Sequence, residues 1–532
     1  MAQIPSIYQT GCYDFVTSGT GNAIIEAVAG SGKTTTGVNM VKLIPQGRSH
    51  IFLAFNRAIA AELKSRGING RTFHSLCMSP VLSAKGVRDV NTDKLRNIID
   101  EAIEASESGN FKQDSSGEWY MPGFDGSHAK PPVPVLSLAD ARMYGKFMTR
   151  LVGLARNSGV GCLCQNIPEV WQGLVDYHDL DFDNEGASFE RGIELSRTLL
   201  EWSNNSTMLD FDDVLYMAVK DGISLPKFDF VFVDEAQDTN SIQRAILRKL
   251  MKPTTRLIAV GDPAQAIYGF RGADSNSLDM IASEFSCKRL PLTVTYRCPT
   301  SVVDFAKQWV SHIEAAPNAA VGVVRDVGTK WETSMFKSDD LVVCRTMRPL
   351  IGLCYQLIKA RVPARILGRN IGEGLKSLVK RMNAKGIDAL LDKLADYTER
   401  EYEKAIAKGK EAKAEAIKDK TDSILCLIEG LGENERTIPA LLNTIDELFS
   451  DSTYGVTLAT IHKSKGLEAD RVFWLNASQC PAQWARQPWQ KQQEKNLCYV
   501  ATTRAKQELV TFEEKAEGVK QSAPKFTNEE VA

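Results

Sequence analysis

Residues 29 to 36, AGSGKTTT, follow the apolar run NAIIEAVAG (22 to 30) and precede a helical pattern. That context is the one in which glycine-containing chain cradles a polyphosphate. Gly30 and Gly32 let the backbone turn its N–H groups inward, and the following helix N-terminus adds partial positive charge. Ala29, Ser31 and Thr35 complete the loop. Lys33 is expected to reach the β and γ phosphates of a nucleoside triphosphate, and the Thr34 hydroxyl to ligate Mg²⁺.

Two further segments carry matching chemistry. VFVDEAQD (231 to 238) ends an apolar strand on Asp234 and Glu235, at the C-terminal tip where parallel sheets place their ligands. Asp234 is expected to hold the metal, through water, and Glu235 to accept a proton from an attacking water; the plainer reading has both acids capping the next helix. GDPAQAIYGFRGA (261 to 273) follows another buried strand. Gln265 can offer a neutral amide to the γ-phosphate, and its loop runs on into Tyr268, Phe270 and Arg271, which read either as core or as an aromatic platform coupled to nucleotide state.

These residues need parallel strands to hold them. Short β-branched apolar runs occur at 22 to 30, 50 to 55, 228 to 236 and 256 to 262, and again at 340 to 346, 363 to 368, 456 to 462, 471 to 476 and 508 to 512. Alternating with helical patterns, they imply an α/β fold with two parallel-sheet cores. Each core is interrupted, the first by a largely helical insertion containing a Gly/Pro/Ser-rich stretch at 105 to 134. The second interruption, 370 to 452, includes the charge-dense 396 to 420, read as one solvated helix with Glu and Lys at pairing distance.

Bulk properties narrow the rest. The 532 residues exceed one hydrophobic core, and 43% hydrophobic with 24% charged residues is ordinary globular composition. No apolar stretch is long enough for a bilayer, and MAQIPSIYQT lacks an export-signal layout, so a cytoplasmic location and no membrane partner are expected. Eleven scattered cysteines read as buried thiols, without zinc spacing. A net charge of −2 leaves room for a local basic groove but not for a protein coated in positive potential.

Taken together, the motifs resemble the UvrD/Rep/PcrA family of superfamily 1 DNA helicases, in order along nearly the whole chain. The resemblance also draws on PSIYQTGCYDFV (5 to 16), AFNRAIAAEL (54 to 63), RTFHSL (71 to 76), LDFDDVL (209 to 215), TYRCP (295 to 299), TIHKSKGLEAD (460 to 470) and LCYVATTRAK (497 to 506). It implies two RecA-like motor domains, 1–78 with 207–295 and 296–369 with 453–515. The helical insertions would be 79–206 and 370–452, and 516–532 a polar tail with no appended nuclease domain.

What the resemblance implies for the site is specific. Gln9 would sense adenine, Tyr296 stack on it, Glu468 contact the ribose, and Arg297 and Arg504 reach the γ-phosphate from the second core. ATP with Mg²⁺ would then join the two cores, and hydrolysis would release them. Phe55, Asn56, Thr72, Phe73 and His74 would contact DNA, with bases stacking on Tyr268 and Phe270 beside Arg271. His74 reads equally as a hydrogen-bonded structural histidine, and His462 is divided between backbone support and DNA contact. Phe270 stands where the family has tryptophan, keeping a stacking face without the indole donor. The implied activity is ATP-dependent translocation on single-stranded DNA, 3′ to 5′, with unwinding at single-strand/duplex junctions by a monomer, in a bacterial or phage-infected cell. Alternatives are a translocase that strips proteins or disrupts recombination intermediates, and a non-catalytic ATP-switched scaffold.

Overall fold

The computed structural model describes residues 5–107, 112–113, 119–120, 136–178, 180, 182, 187–267, 276–432, 435–449 and 454–515. The chain forms two compact units, Met1–Tyr296 with His312–Ala316, and Arg297–Ser311 with Pro317–Ala532. It is α/β throughout, as the sequence implies.

In the first unit, β1 (Asn22–Ala27), β2 (His50–Leu53), β3 (Gly70–Arg71), β6 (Phe228–Val233), β7 (Met251–Gly261) and β8 (Cys287–Leu292) form one parallel sheet, in the order β3-β2-β6-β7-β1-β8. Short pairs stand apart from it: β4 (Lys112–Gln113) with β5 (Trp119–Tyr120), and β9 (Val294–Thr295) with β10 (Glu314–Ala315). The two-residue side-chain period decides which core each residue joins. Phe230 and Phe232 face the helices Ile7–Ser18 and Lys33–Lys42, where Phe232 stacks on Phe52 with ring centres 5.7 Å apart. Val231 and Val233 face the opposite way, into a core shared with the inserted helices.

That shared core makes the first insertion part of the unit. Helices Lys94–Glu107, Leu138–Ser158, Pro168–Tyr177 and Phe189–Asn205 bury residues such as Ile98, Leu151, Trp171 and Leu199 in one cluster with Ile24 and Leu53 of the sheet. Among them lies a largely buried charge network centred on LDFDDVL. Asp210 caps the helix Phe211–Lys220, accepting the Asp213 N–H at 2.9 Å. Asp213 meets the Lys94 ammonium at 2.6 Å and the Arg156 guanidinium at 3.0 Å, and Arg156 also reaches Asp210 at 2.8 Å. Burial pulls the Lys94 ammonium below its ordinary pKa despite these carboxylates.

The second unit repeats the plan. β11 (Val323–Gly328), β12 (Leu341–Cys344), β13 (Ala364–Ile366), β14 (Val456–Thr460), β15 (Ala469–Leu475) and β16 (Ala505–Phe512) form a parallel sheet ordered β11-β16-β15-β12-β14-β13. Among the described residues its insertion holds four α-helices, Arg369–Met382, Ile387–Ala407, Glu411–Gly430 and Ile438–Leu448. The expected single solvated helix over 396 to 420 is corrected to a hairpin. Gly409 takes φ 68°, the left-handed turn glycine permits, and Glu401, Ala405 and Ala414 are buried.

Besides the two short pairs, three strands of the six-stranded sheets escape the sequence reading: β3, β8 and β11. Each is an edge strand, and polar, exposed residues replace the apolar run; β8 also contains Pro291, tolerated at an edge. The cysteines are free thiols; seven are buried as expected, three are partly buried and Cys164 is exposed. No described helix is long and apolar enough to cross a membrane.

Removing Lys94 breaks one of the two buried ion pairs of Asp213 and leaves it only Arg156; breaking a buried pair costs up to about 3–5 kcal/mol, so Lys94→Ala should lower the first unit's denaturation midpoint sharply. Arg96→Ala, which removes an exposed pair with Asp100, should cost no more than about 1 kcal/mol. Equal midpoints for the two variants would contradict the network's role.

Candidate nucleotide site

The ends of three neighbouring strands build the site. β1 leads into the loop, where Gly30 and Gly32 adopt φ 69° and 77°, conformations a side chain would oppose. Gly32 then starts the helix Lys33–Lys42. The Lys33 ammonium stands 3.3 Å from Glu235 Oε1, and the Thr34 hydroxyl donates to Asp234 Oδ2 at 3.1 Å. Both acids follow β6, and Glu235 itself sits at φ 50°, an uncommon backbone for a residue with a side chain. That bend points two successive carboxylates at two different partners.

Electrostatics are concentrated here. Burial, reinforced by Glu235 next door, raises the Asp234 pKa to about 6, against the pull of Lys33 and Thr34. Burial also raises Asp262, the residue after β7. For Lys33, burial works downward, but Glu235, Asp262 and Asp234 outweigh it and the net shift is upward. The lysine is therefore charged at neutral pH.

The third segment is tied to the second by a residue that sequence reasoning passed over. Gln237 is buried; its amide nitrogen donates to Glu235 Oε2 and its amide oxygen accepts the Asp262 N–H at 3.0 Å. Asp262 in turn accepts from Gln265 Nε2 at 2.6 Å. A Cβ on Gly261 would come 2.6 Å from the Gln237 amide oxygen, so glycine makes room for the link. The only sequence signal was a glutamine inside an acidic motif; its partner lies 25 positions away.

Gln9 and Tyr296 frame the other side of the loop. Gln9 donates to the Thr36 hydroxyl at 3.1 Å and accepts the Tyr296 hydroxyl at 3.1 Å. The Tyr296 N–H donates to Gly30 O at 2.9 Å. Tyr296, expected to open the second core, thus closes the first unit.

In the second unit, Arg297 donates through Nε to Glu468 at 2.7 Å and through Nη1 to Thr503 O at 3.2 Å. Lys506 holds the other Glu468 oxygen at 2.8 Å. Glu468 is therefore a partner of two cations, a role its expected ribose contact did not suggest. Arg504 is buried, donating to Val500 O at 2.9 Å and Leu467 O at 3.1 Å.

With this geometry in place, the comparisons with known proteins are decisive. The UvrD/REP helicase N-terminal domain matches residues 13–286, more than half of the chain, and the UvrD-like helicase C-terminal domain matches 370–514. The chain belongs to the UvrD/REP helicase family. It is 25% identical to the Bacillus subtilis protein named "Putative ATP-dependent DNA helicase YjcD" over 417 aligned residues, covering 57% of this chain and 55% of that one. Identity to the Mycoplasma pneumoniae "Probable DNA helicase II homolog" is 26%, over 57% of this chain and 42% of that one. A 31% match to the ATP-dependent DNA helicase PcrA of Leuconostoc citreum covers 20% of this chain and 16% of that one. The chain spans about half the length of the first relatives it matches.

The residues fit what UvrD/REP helicases bind. Ser31 Oγ is buried without a hydrogen-bond partner among the described residues, inside the loop that would surround phosphate. Asp234 and Thr34 are hard oxygen donors already in contact, suited to Mg²⁺. Of the DNA-facing expectations, Asn56 and Thr72 cap the helices Arg57–Ser65 and Phe73–Lys85 after β2 and β3. Phe55 is 43% exposed, whereas Phe73 is buried in the core. His74 is half-buried with its ring 5.9 Å from Phe211, and burial lowers its pKa, aided by the Arg57 charge and opposed by a hydrogen bond to Phe211 backbone. His462 is half-buried in the short helix Ile461–Ser464. Tyr268, Phe270 and Arg271 lie outside the described residues.

A Mg²⁺ ion held by Asp234 would need its carboxylate ionised, and folding raises this group from its ordinary 3.8 to about 6. Between these values the folded state holds the proton better than the unfolded chain, so acid favours the fold through this group while opposing the metal. Mg²⁺ affinity measured calorimetrically is expected to fall about tenfold per pH unit below 6 and to level off above about 7. Asp234→Asn should remove that dependence; an unchanged slope in the variant would contradict the assignment.

Proposed function

We propose that the protein is an ATP-driven motor that moves 3′ to 5′ along single-stranded DNA and separates duplexes as it goes. The observation that carries this reading is the paired contact of Lys33 with Glu235 and Thr34 with Asp234 beside a loop whose Gly30 and Gly32 take positive φ. The arrangement is a triphosphate site with its base in reserve.

Lys33 exchanges Glu235 for the β and γ phosphates of ATP, an anion that carries more charge than one carboxylate. Glu235, still held by Gln237, is released from the lysine and takes the proton of the attacking water. Thr34 and Asp234 would hold Mg²⁺, which would supply positive charge to the phosphate oxygens. Gln265 contacts the γ-phosphate, and because Gln237 joins Glu235 to Asp262, loss of that phosphate is felt along the segment that continues toward Tyr268 and Phe270. Gln9 and Tyr296 receive the adenine. Arg297 and Arg504 supply the guanidinium charge that in phosphoryl-transfer enzymes is worth about 10³ to 10⁵ in rate.

DNA binds across the C-terminal ends of β2 and β3. There the N-termini of helices Arg57–Ser65 and Phe73–Lys85 favour phosphates, and Phe55 offers an exposed ring. Such contacts do not read sequence, which suits a motor working along bacterial DNA in the cytoplasm.

ATP turnover is expected to rise at least about tenfold with single-stranded DNA, a barrier change of about 1.4 kcal/mol. Duplexes with a 3′ single-stranded tail should be unwound in preference to those with a 5′ tail. Equal turnover with and without DNA would contradict the motor, a 5′ preference would reverse the direction, and turnover without strand separation would favour protein stripping.

A further inference from the structure

The second insertion is joined to its core by more than apolar packing. Helix Glu411–Gly430 presents Glu411, Glu415 and Asp419 at four-residue spacing, one stripe of the helix. Each acid meets a different part of the core. Glu411 pairs with Arg486. Glu415 accepts the Trp484 indole N–H at 2.5 Å. Asp419 accepts the N–H groups of Met347 and Arg348 at 3.0 and 2.9 Å, capping the helix Arg348–Lys359, which lacks a side-chain cap of its own.

The middle contact leads furthest. The Trp484 ring centre lies 5.7 Å from the Arg345 guanidinium carbon, within cation–π range. Arg345, just past β12, forks onto both oxygens of Glu494 at 2.8 to 3.1 Å. Glu494 is almost fully buried and also accepts the Ala482 N–H at 3.0 Å. It belongs to helix Pro488–Thr502, whose Val500 carbonyl holds Arg504.

A buried carboxylate is stable only with a well-placed cation. The guanidinium is aimed by the indole face, and the indole by the Glu415 carboxylate, a charge-assisted bond that is short and directional. Apolar packing runs alongside: Ile424, Leu427 and Ile428 of the insertion share a core with Leu350, Ile351 and Cys354. The insertion cannot shift without disturbing this relay.

We propose that the insertion is a brace: through Glu415, Trp484, Arg345 and Glu494 it positions helix Pro488–Thr502, and with it Arg504. These are positioning residues, and the catalytic consequence rests on the role given above to Arg504. The second insertion then tunes the motor's chemistry from within its own unit.

Glu415→Ala, Glu415→Gln and Trp484→Phe test this in the full chain. Gln keeps an acceptor oxygen for the indole, whereas Ala and Phe each break the bond. Amide hydrogen exchange across 488–502 is expected to quicken about tenfold in Glu415→Ala and Trp484→Phe and to stay near normal in Glu415→Gln. With DNA present, kcat should fall about fivefold in the same two variants while KM for ATP stays within about twofold. Unchanged exchange in Glu415→Ala, an increase spread evenly over the whole unit, failure of Glu415→Gln to restore it, or a normal kcat in Glu415→Ala would overturn the brace. If the unmodified chain showed no DNA-stimulated turnover, the motor reading would fail, and the exchange pattern would still decide the brace.

Discussion

One ammonium among three carboxylates, two of them buried, is the constraint around which the first unit is organised. At 3.3 Å, the gross attraction between Lys33 and Glu235 is about 5 kcal/mol at an effective dielectric of 20, much of it offset by the cost of desolvating both groups. Asp234 and Asp262 add negative charge that one lysine does not balance; burial raises the pKa of both, and the Glu235 charge adds to it. Such a cluster persists because strands β6, β7 and β1 end side by side and fix the backbone beneath it. The proposed entry of a divalent cation and the proposed transfer of the lysine to phosphate both rest on this arrangement.

Outside the site, the fold spends its helices on holding these strand ends still. In both units the inserted helices share a hydrophobic core with the sheet. The first insertion adds the buried Lys94, Arg156 and Asp213 network, and the second its acidic stripe. Each insertion is thus an extension of its unit's framework.

Much of this was legible in the sequence, for a physical reason. Central parallel strands are buried on both faces, so their apolar runs stand out, and the glycines at 30 and 32 mark where the loop at 29 to 36 needs positive φ. Edge strands β3, β8 and β11 carry no such run and were missed. The break at Gly409 hid within a charge pattern that suits one long helix as well as two. Pairings set by tertiary structure were also out of reach: Gln237 with Asp262, Glu468 with Arg297 and Lys506, and Tyr296 with Gln9 each join residues that no local pattern connects.

The central claim is that Glu235 holds Lys33 until a triphosphate takes its place. The most direct measurement is MgATP affinity alongside turnover for Glu235→Gln. Loss of the carboxylate charge frees Lys33 and removes repulsion of the γ-phosphate, so the account predicts ATP bound at least about tenfold more tightly, roughly 1.4 kcal/mol, with turnover abolished. Unchanged or weaker binding, or turnover that survives the substitution, would contradict it.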